Sequence, residues 1–203
     1  MRVLQVCREA LSGRLPLIAG ISGLSTEECV ALARAAERVG CTGLMVLPPY
    51  VYRGDWPETE AHFTAVLGAT SLSCMLYNNP IAYGTDLLAD DVARLAERHR
   101  NVHAVKESSG DVRRVTALRT TLGNRLQLFA GLDDMIVEAA AMGAHGWVAG
   151  LVNAFPVESV RLFELARAGR AEEARRLYDW FLPLLRFDTV PKFVQLIKLA
   201  QAE

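Results

Sequence analysis

The sequence has 203 residues, 51% of them hydrophobic, and its 22 basic and 23 acidic side chains leave a formal net charge of −1. This length is enough for one domain with a sizeable core. The balanced charge argues against a nucleic-acid partner, and no apolar run approaches the roughly 20 residues of a membrane helix. We therefore expect neither a nucleic acid nor a membrane as a partner.

The four cysteines show neither CxxC spacing nor Cys/His ligand spacing, and the four histidines are scattered. Such a pattern is typical of reduced, mostly buried thiols in a cytoplasmic protein. The sequence therefore predicts no bound metal and no cofactor.

The chain opens with a helical pattern at Val3–Leu11, and short apolar runs follow at regular intervals. Each run is bounded by Gly, Pro or a polar turn, which is typical of strands buried on both faces. The six predicted strands are Leu15–Ile21, Thr42–Pro48, Ser73–Tyr77, Val102–Lys106, Leu126–Ala130 and Gly146–Leu151.

Helical patterns fill the gaps between these strands. A capping box formed by Ser25 and Glu28 begins a helix that continues to Val39. Three further segments carry the same 3.6-residue period, namely Asp90–Arg98, Val112–Leu122 and Asp133–Met142. Alternating strands and helices predict an α/β fold with a parallel sheet, either a barrel or an open sheet.

The tail differs because three helical patterns follow one another without a strand, at Pro156–Ala168, Ala171–Leu185 and Val190–Ala202. We therefore predict a β/α portion over residues 1–155 and a helical extension over residues 156–203. Six strands are fewer than the eight of a closed (β/α)8 barrel, so we expect an N-terminal part to be missing.

Lys106 is one of only three lysines among the 22 basic residues, and it closes an apolar strand. Active sites of parallel α/β folds lie at the C-terminal ends of the strands. Burial disfavours the charged form of an amine, and a neutral amine attacks carbonyl carbons. The alternative interpretation is an ion pair with the neighbouring Glu107 or with another carboxylate at the strand end, and the residues alone leave both open.

Tyr77 ends the preceding strand, and adjacent barrel strands bring their last side chains together. A phenol beside an amine can transfer a proton during attack and during release of water. The alternative is a rim tyrosine that only packs its ring against a loop. The following residues, from Asn78 to Pro80, predict a fixed turn.

Two other motifs are given a structural interpretation. Asp133 and Asp134 are either paired catalytic carboxylates or, as we favour, an N-cap and partners of the helix dipole. The segment Gly20–Gly23 does not match GxGxxG and is predicted to be a tight turn. His62 is predicted to lie on a helix face.

The ordered segments IAGISGLSTEE, PPYVY, LYNNP, VKESSGD, FAGLDD and GWVAGLVNAFP together resemble the dihydrodipicolinate synthase/N-acetylneuraminate lyase family. The resemblance implies a (β/α)8 TIM barrel, here lacking its first two strands, with C-terminal helices. It also implies a homo-oligomer, a tetramer or a dimer.

The same resemblance implies roles for individual residues. Lys106 would form a Schiff base with a 2-oxo acid or a cyclic imine, and Tyr77 would relay protons. The predicted substrate-binding residues are Ser108, Gly131, Val148 and Asn79.

Some family features are absent from this sequence. The segment Gly-Thr/Ser-Thr-Gly-Glu, which binds the carboxylate of the 2-oxo acid, has no counterpart. True synthases carry paired tyrosines where this chain has Tyr50 and Val51, and an arginine where it has Ala82. Loss of that arginine leaves a substrate carboxylate without its bidentate partner, which argues against synthase activity.

The segments YNNPIAYGTD and VKESSGDVRR are more similar to a catabolic branch of the family. That branch includes the deaminase of 1-pyrroline-4-hydroxy-2-carboxylate, which yields 2-oxoglutarate semialdehyde and ammonia. The alternatives are a 4-hydroxy-tetrahydrodipicolinate synthase, another pyruvate or 2-keto-3-deoxy acid aldolase or dehydratase, and an inactive truncated remnant.

Overall fold

The computed structural model describes all residues from 1 to 203. The contacts divide the chain into two compact units, residues 1–105 with 121–126 and residues 106–120 with 127–203. One strand, β4 (Val102–Glu107), contributes its first four residues to the first unit and its last two to the second.

The first unit alternates helices with strands. Its other elements are α1 (Arg2–Leu11), β1 (Ile18–Ile21), α2 (Thr26–Val39), β2 (Gly43–Val46), α3 (Trp56–Leu67), β3 (Ser73–Asn78), α4 (Pro80–Tyr83) and α5 (Ala89–Arg98). The predicted start of α2 is confirmed, since Ser25 Oγ accepts a hydrogen bond from the Glu28 backbone N–H (3.1 Å). Helix α2 ends at Gly40, whose φ of +91° favours glycine.

The strands form one six-stranded sheet in the order β1-β2-β3-β4-β5-β6. Strand β2 pairs in parallel with β1 on one side and with β3 on the other, and Gly43 lies opposite Ile18 and Ser73. Parallel neighbours joined by helices place the C-termini of β1, β2 and β3 at one edge within the first unit. The predicted α/β fold with six strands is therefore confirmed.

The second unit continues the pattern and ends in helices. Its elements are α6 (Arg113–Leu122), β5 (Gln127–Ala130), a 3-10 turn (Asp133–Met135), α7 (Ile136–Ala141), β6 (Gly146–Trp147), a 3-10 turn (Leu151–Asn153), α8 (Pro156–Arg167), α9 (Ala171–Leu185), a 3-10 turn (Arg186–Thr189) and α10 (Phe193–Ala202). Its core joins these helices to the end of β5, and Phe181 packs edge-on against Phe155 with ring centroids 5.7 Å apart. The three predicted tail helices are confirmed.

Two details of the prediction were wrong. Strand β1 is not buried on both faces, because Ile18 is half exposed while Ala19 and Ile21 are buried. The last strand stops at Trp147 instead of continuing to Leu151. The Gly150 and Leu151 backbone N–H groups donate to the Asp133 side chain instead of to strand β5.

All four cysteines are free thiols. None of the ten α-helices combines the length and the hydropathy that spanning a bilayer requires.

Candidate active site

Lys106 is the penultimate residue of β4, and only 8% of its surface is exposed. The Gly131 backbone N–H donates to the Glu107 carbonyl (2.9 Å), which fixes the end of β4 against the residue after β5. A Cβ atom at Gly131 would lie 2.7 Å from Lys106 Cε and would overlap Ser108 Oγ. Gly131 is therefore a position where the absence of a side chain makes room for the lysine and the serine.

Ser108 lies at the centre of this arrangement and is 1% exposed. Its hydroxyl oxygen is buried and has no hydrogen-bond partner in the protein. A buried hydroxyl without a partner costs about 1–3 kcal/mol, so such groups generally have a functional explanation. The position beside Lys106 makes Ser108 available to a bound polar group.

Asp133 is completely buried at the start of the 3-10 turn after β5. Its carboxylate accepts hydrogen bonds from Trp147 Nε1 (3.1 Å), the Gly150 N–H (3.0 Å) and the Leu151 N–H (2.6 Å). The N-cap prediction was therefore wrong, because this side chain holds the loop after β6. The same bonds explain why β6 ends early.

The ionisation of Asp133 reflects this environment. Burial raises its pKa, whereas the hydrogen bonds from Leu151, Gly150 and Trp147 and the positive charge of Lys106 lower it. Three N–H donors and a neighbouring cation therefore fix the position of the Asp133 carboxylate.

A second carboxylate, Asp188, acts on the same lysine, and sequence analysis did not predict it. Asp188 lies on the 3-10 turn Arg186–Thr189. Burial and the negative charge of Asp133 raise the pKa of Asp188 to about 7, while the positive charge of Lys106 opposes the shift. We call Lys106, Asp133 and Asp188 the lysine–aspartate cluster.

Val148, predicted to line the site, directly follows β6 and is half-buried. Its backbone N–H donates to the Ala130 carbonyl (3.0 Å). This bond extends the pairing of β5 and β6 by one residue.

In the first unit, Tyr77 is the penultimate residue of β3 and is 9% exposed. Asn79 Nδ2 donates to the Tyr77 hydroxyl (3.1 Å), and Asn79 Oδ1 accepts from the Ala82 N–H (3.0 Å). Asn79 therefore caps α4 and orients the phenol at the same time. The predicted fixed turn after Tyr77 is present, with Pro80 as the first residue of α4.

Tyr83 packs on Tyr77, and Tyr50 packs on Tyr83, a residue that sequence reasoning did not single out. The Tyr77 and Tyr83 rings pack edge-on with centroids 5.6 Å apart, and Tyr50 lies 5.9 Å from Tyr83. Burial and the nearby Tyr77 raise the pKa of Tyr83 to about 12, so this phenol is neutral at neutral pH. We call Tyr50, Tyr77 and Tyr83 the tyrosine cluster.

His62 lies on α3, as predicted, but it is buried. Its ring nitrogens lie 2.9 Å from Thr26 Oγ1 and 3.2 Å from the Leu47 carbonyl oxygen. Burial lowers its pKa. No group of three or more His, Cys, Asp or Glu side chains is arranged to hold a metal ion.

The sequence matches the Dihydrodipicolinate synthetase family over residues 1–203. The chain belongs to this family. It is 33% identical to the 4-hydroxy-tetrahydrodipicolinate synthase of Pelobacter propionicus over 178 residues, which cover 88% of this chain and 61% of that protein. The chain thus spans about three fifths of the length of this curated relative.

Solved structures of the family have the same fold. A Pseudomonas aeruginosa protein, provisionally named a dihydrodipicolinate synthetase, is 32% identical with a TM-score of 0.94, over 99% of this chain and 69% of that one. The chloride-inhibited dihydrodipicolinate synthase of Acinetobacter baumannii, complexed with pyruvate, is 28% identical with a TM-score of 0.88, over 96% of this chain and 67% of that one. The likeness covers the strands, the crossover helices and the C-terminal helices of this chain.

Proposed function

We propose that the protein is a class I lyase in which Lys106 forms a Schiff base with a 2-oxo acid. The observation that carries the proposal is a buried lysine at a strand end, beside an unpartnered buried hydroxyl (Ser108) and a glycine that leaves room for both. The pyruvate bound to the A. baumannii relative supports a 2-oxo acid as the ligand.

The proposed Schiff-base chemistry follows from the nucleophilic amine of Lys106. Lys106 attacks the carbonyl carbon, water leaves, and the resulting iminium withdraws electrons from the adjacent carbon. Ser108 offers its free hydroxyl to a substrate oxygen, which would satisfy a group that the folded protein leaves unpaired. Gly131 keeps the approach open.

Tyr77 is proposed as the group that relays protons during these steps. Its phenol is held by Asn79, so the hydroxyl has a defined orientation. Asn79 and Val148 are kept as proposed substrate-binding residues, and the role of Asn79 includes orienting Tyr77.

For the substrate we propose 1-pyrroline-4-hydroxy-2-carboxylate, whose imine carbon Lys106 would attack before water and ammonia are lost. Ala82 supports this choice. This alanine on α4 stands where true synthases have an arginine, and it supplies no cation that could bind a second carboxylate. The second candidate is 4-hydroxy-tetrahydrodipicolinate synthesis, the activity for which the curated relatives are named.

The Schiff base is tested by trapping. The protein is incubated with pyruvate, reduced with borohydride and digested, and the adduct is located by mass spectrometry. We expect the adduct on Lys106, none in Lys106→Arg, and an unchanged yield in the matched double variant Lys192→Arg/Lys198→Arg. An adduct on Lys192 or Lys198 would overturn the assignment, and a folded protein without any adduct would favour an inactive remnant.

The substrate is tested by turnover. Release of ammonia from the pyrroline is compared with condensation of pyruvate and aspartate semialdehyde under the same conditions. Turnover of the second pair alone would exclude the deaminase and establish the synthase.

The oligomeric state and the cellular compartment are the last parts of the proposal. We propose a homo-oligomer, a dimer or tetramer, because α8 exposes the apolar side chains of Val157 and Val160. Light scattering measures this directly, and a monomer at every concentration would contradict it. The four free thiols support a reducing compartment such as the cytoplasm.

A further inference from the structure

We propose that Arg53 is a substrate-binding residue whose guanidinium binds a carboxylate group of the 2-oxo acid or imine. The proposal rests on the proposed function, since it assigns a further residue to the same substrate. It places a cation close to α4, the helix on which Ala82 stands in the position of a synthase arginine.

The first support is the position of the guanidinium. A Cβ atom at Gly84 would lie 2.7 Å from Arg53 Nε and 3.5 Å from Arg53 Cζ. Arg53 therefore packs directly on the backbone at the end of α4, two residues after Ala82. Gly84 has a φ of +74°, and its N–H donates to the Pro80 carbonyl (3.0 Å), so glycine is favoured at this position. The absence of a side chain there makes room for the arginine.

The second support is the loop that carries Arg53, because it is fixed on both sides of this residue. Before Arg53, the Pro49 carbonyl accepts a hydrogen bond from the Thr85 hydroxyl (2.9 Å), which ties the loop to the residue after Gly84. After Arg53, Asp55 caps α3 by accepting from a backbone N–H. A loop that is already ordered loses little freedom when its side chain binds a ligand.

The third support is that the guanidinium is not neutralised within the protein. Arg53 is exposed and forms no ion pair with a carboxylate of the chain. The nearest carboxylates along the chain have other partners, since Asp55 accepts from the Glu58 N–H (3.0 Å) and Glu58 accepts from the Tyr52 hydroxyl (3.0 Å). A planar guanidinium without an anionic partner can bind a carboxylate through two parallel hydrogen bonds.

The contact with Gly84 also places Arg53 beside the tyrosine cluster. Tyr83 directly precedes Gly84, and its ring packs on both Tyr50 and Tyr77. A carboxylate bound by Arg53 would therefore lie at the edge of the first unit where β3 ends with the proposed proton relay. The four observations together assign the arginine to the substrate and not to the fold.

The test is the concentration dependence of trapping in the full chain. Adduct formation on Lys106 is measured with cyanoborohydride at increasing concentrations of pyruvate and, separately, of 2-oxoglutarate, which carries a second carboxylate. In Arg53→Gln we expect the half-saturating concentration of 2-oxoglutarate to rise by about 10- to 100-fold, because a charge-assisted interaction is lost. The parallel measurement with pyruvate identifies the carboxylate that is bound.

Two further variants distinguish this role from a general effect of losing a positive charge. Arg34→Gln removes an exposed arginine from α2 in the same unit, so the half-saturating concentrations should equal those of the wild type. Arg53→Lys keeps the charge without the planar fork, so the rise should be smaller than in Arg53→Gln. Arg53→Lys decides the matter if circular dichroism shows that Arg53→Gln does not fold.

The outcomes of trapping separate three cases. An unchanged half-saturating concentration of 2-oxoglutarate in Arg53→Gln, or an equal rise in Arg34→Gln, overturns the role of Arg53 and leaves the Schiff base standing. A rise with both acids supports the proposal and assigns Arg53 to the carboxylate beside the carbonyl. A rise with 2-oxoglutarate alone supports it for a second carboxylate, which would favour the synthase over the deaminase.

A wild type that forms no adduct removes the Schiff base, and calorimetric titration then decides on Arg53. The probe is glutarate, a dicarboxylate without a ketone. Binding that is lost in Arg53→Gln and kept in Lys106→Arg supports the role of Arg53. A wild type that binds no glutarate, or an Arg53→Gln variant that binds it as the wild type does, overturns that role.

Discussion

The two units place different chemistry at the ends of their strands. The tyrosine cluster of the first unit is held by ring packing and by the amide of Asn79. The lysine–aspartate cluster of the second unit is made of ionisable groups, two of them buried, that act on one another through charge. The arrangement of the tyrosine cluster depends on how its rings pack. The interactions within the lysine–aspartate cluster depend on which of its groups are protonated.

This difference indicates how each region responds to change. Removing a phenol hydroxyl leaves a ring that still packs, so its effect should be confined to proton transfer. A displaced charge in a buried cluster alters the ionisation of its neighbours, because the low dielectric does not screen it. The second unit should therefore be the more sensitive to small substitutions.

The largest effect is expected at Gly131 in the second unit. A Cβ atom there would meet Lys106 Cε at 2.7 Å and overlap Ser108 Oγ, so Gly131→Ala must displace both. A displacement of about 1 Å can cost about 100-fold in rate. The rate of pyruvate adduct formation measures the loss, and circular dichroism measures the fold.

The matched control is Gly20→Ala in β1, where a Cβ atom meets nothing within 4 Å. Adduct formation in that variant should equal the wild-type rate. Equal rates in Gly131→Ala and Gly20→Ala would mean that the crowding at Gly131 has no part in binding.

A smaller and more selective effect is expected at Tyr77 in the first unit. Tyr77→Phe keeps the edge-on contact with Tyr83 and removes the hydroxyl that Asn79 binds. We expect adduct formation to slow by about 10- to 100-fold, because the proposed proton relay is lost, while the unfolding transition changes little.

Tyr52→Phe is the control for this substitution. Tyr52 is exposed, and its hydroxyl donates to Glu58 (3.0 Å) on the surface of the same unit. Its trapping rate should match the wild type. Equal slowing in the two variants would exclude a specific role for Tyr77.

The sequence predicted the parts of this arrangement that depend on local patterns. Apolar runs bounded by turn residues located all six strands, and the end of β4 located Lys106. Ser108 and Gly131 were predicted from the family resemblance, and the structure brings both to Lys106.

The remaining features depend on contacts that are distant in the sequence. Asp133 resembles a helix cap locally, yet its partners Trp147, Gly150 and Leu151 follow another strand. Asp188 lies in a turn between tail helices, where no periodicity distinguishes it from a solvated aspartate. A side-chain interaction of this kind is invisible to pattern analysis because only the tertiary fold creates it.

The smallest effect, and the sharpest contrast between the units, is expected in the pH dependence of stability. His62 in the first unit has a lowered pKa in the folded state, so its unfolded form binds a proton more readily. Its contribution to stability is present above its ordinary pKa and is lost as the pH falls. Asp188 in the second unit has its pKa raised to about 7, so its contribution is present below its ordinary pKa and is lost as the pH rises through about 7.

Hydrogen exchange can follow the two contributions separately, with one peptide covering α3 and another covering residues 186–189. Protection of α3 should weaken as the pH is lowered, and His62→Gln should flatten this dependence because the amide carries no titrating proton.

Protection of the second peptide, after correction for intrinsic exchange, should weaken as the pH is raised, by up to about 1–2 kcal/mol for a partly exposed carboxyl group. Asp188→Asn should flatten that dependence without affecting α3. If both peptides lose protection in the same direction of pH, His62 and Asp188 do not make opposite contributions to the stability of the two units.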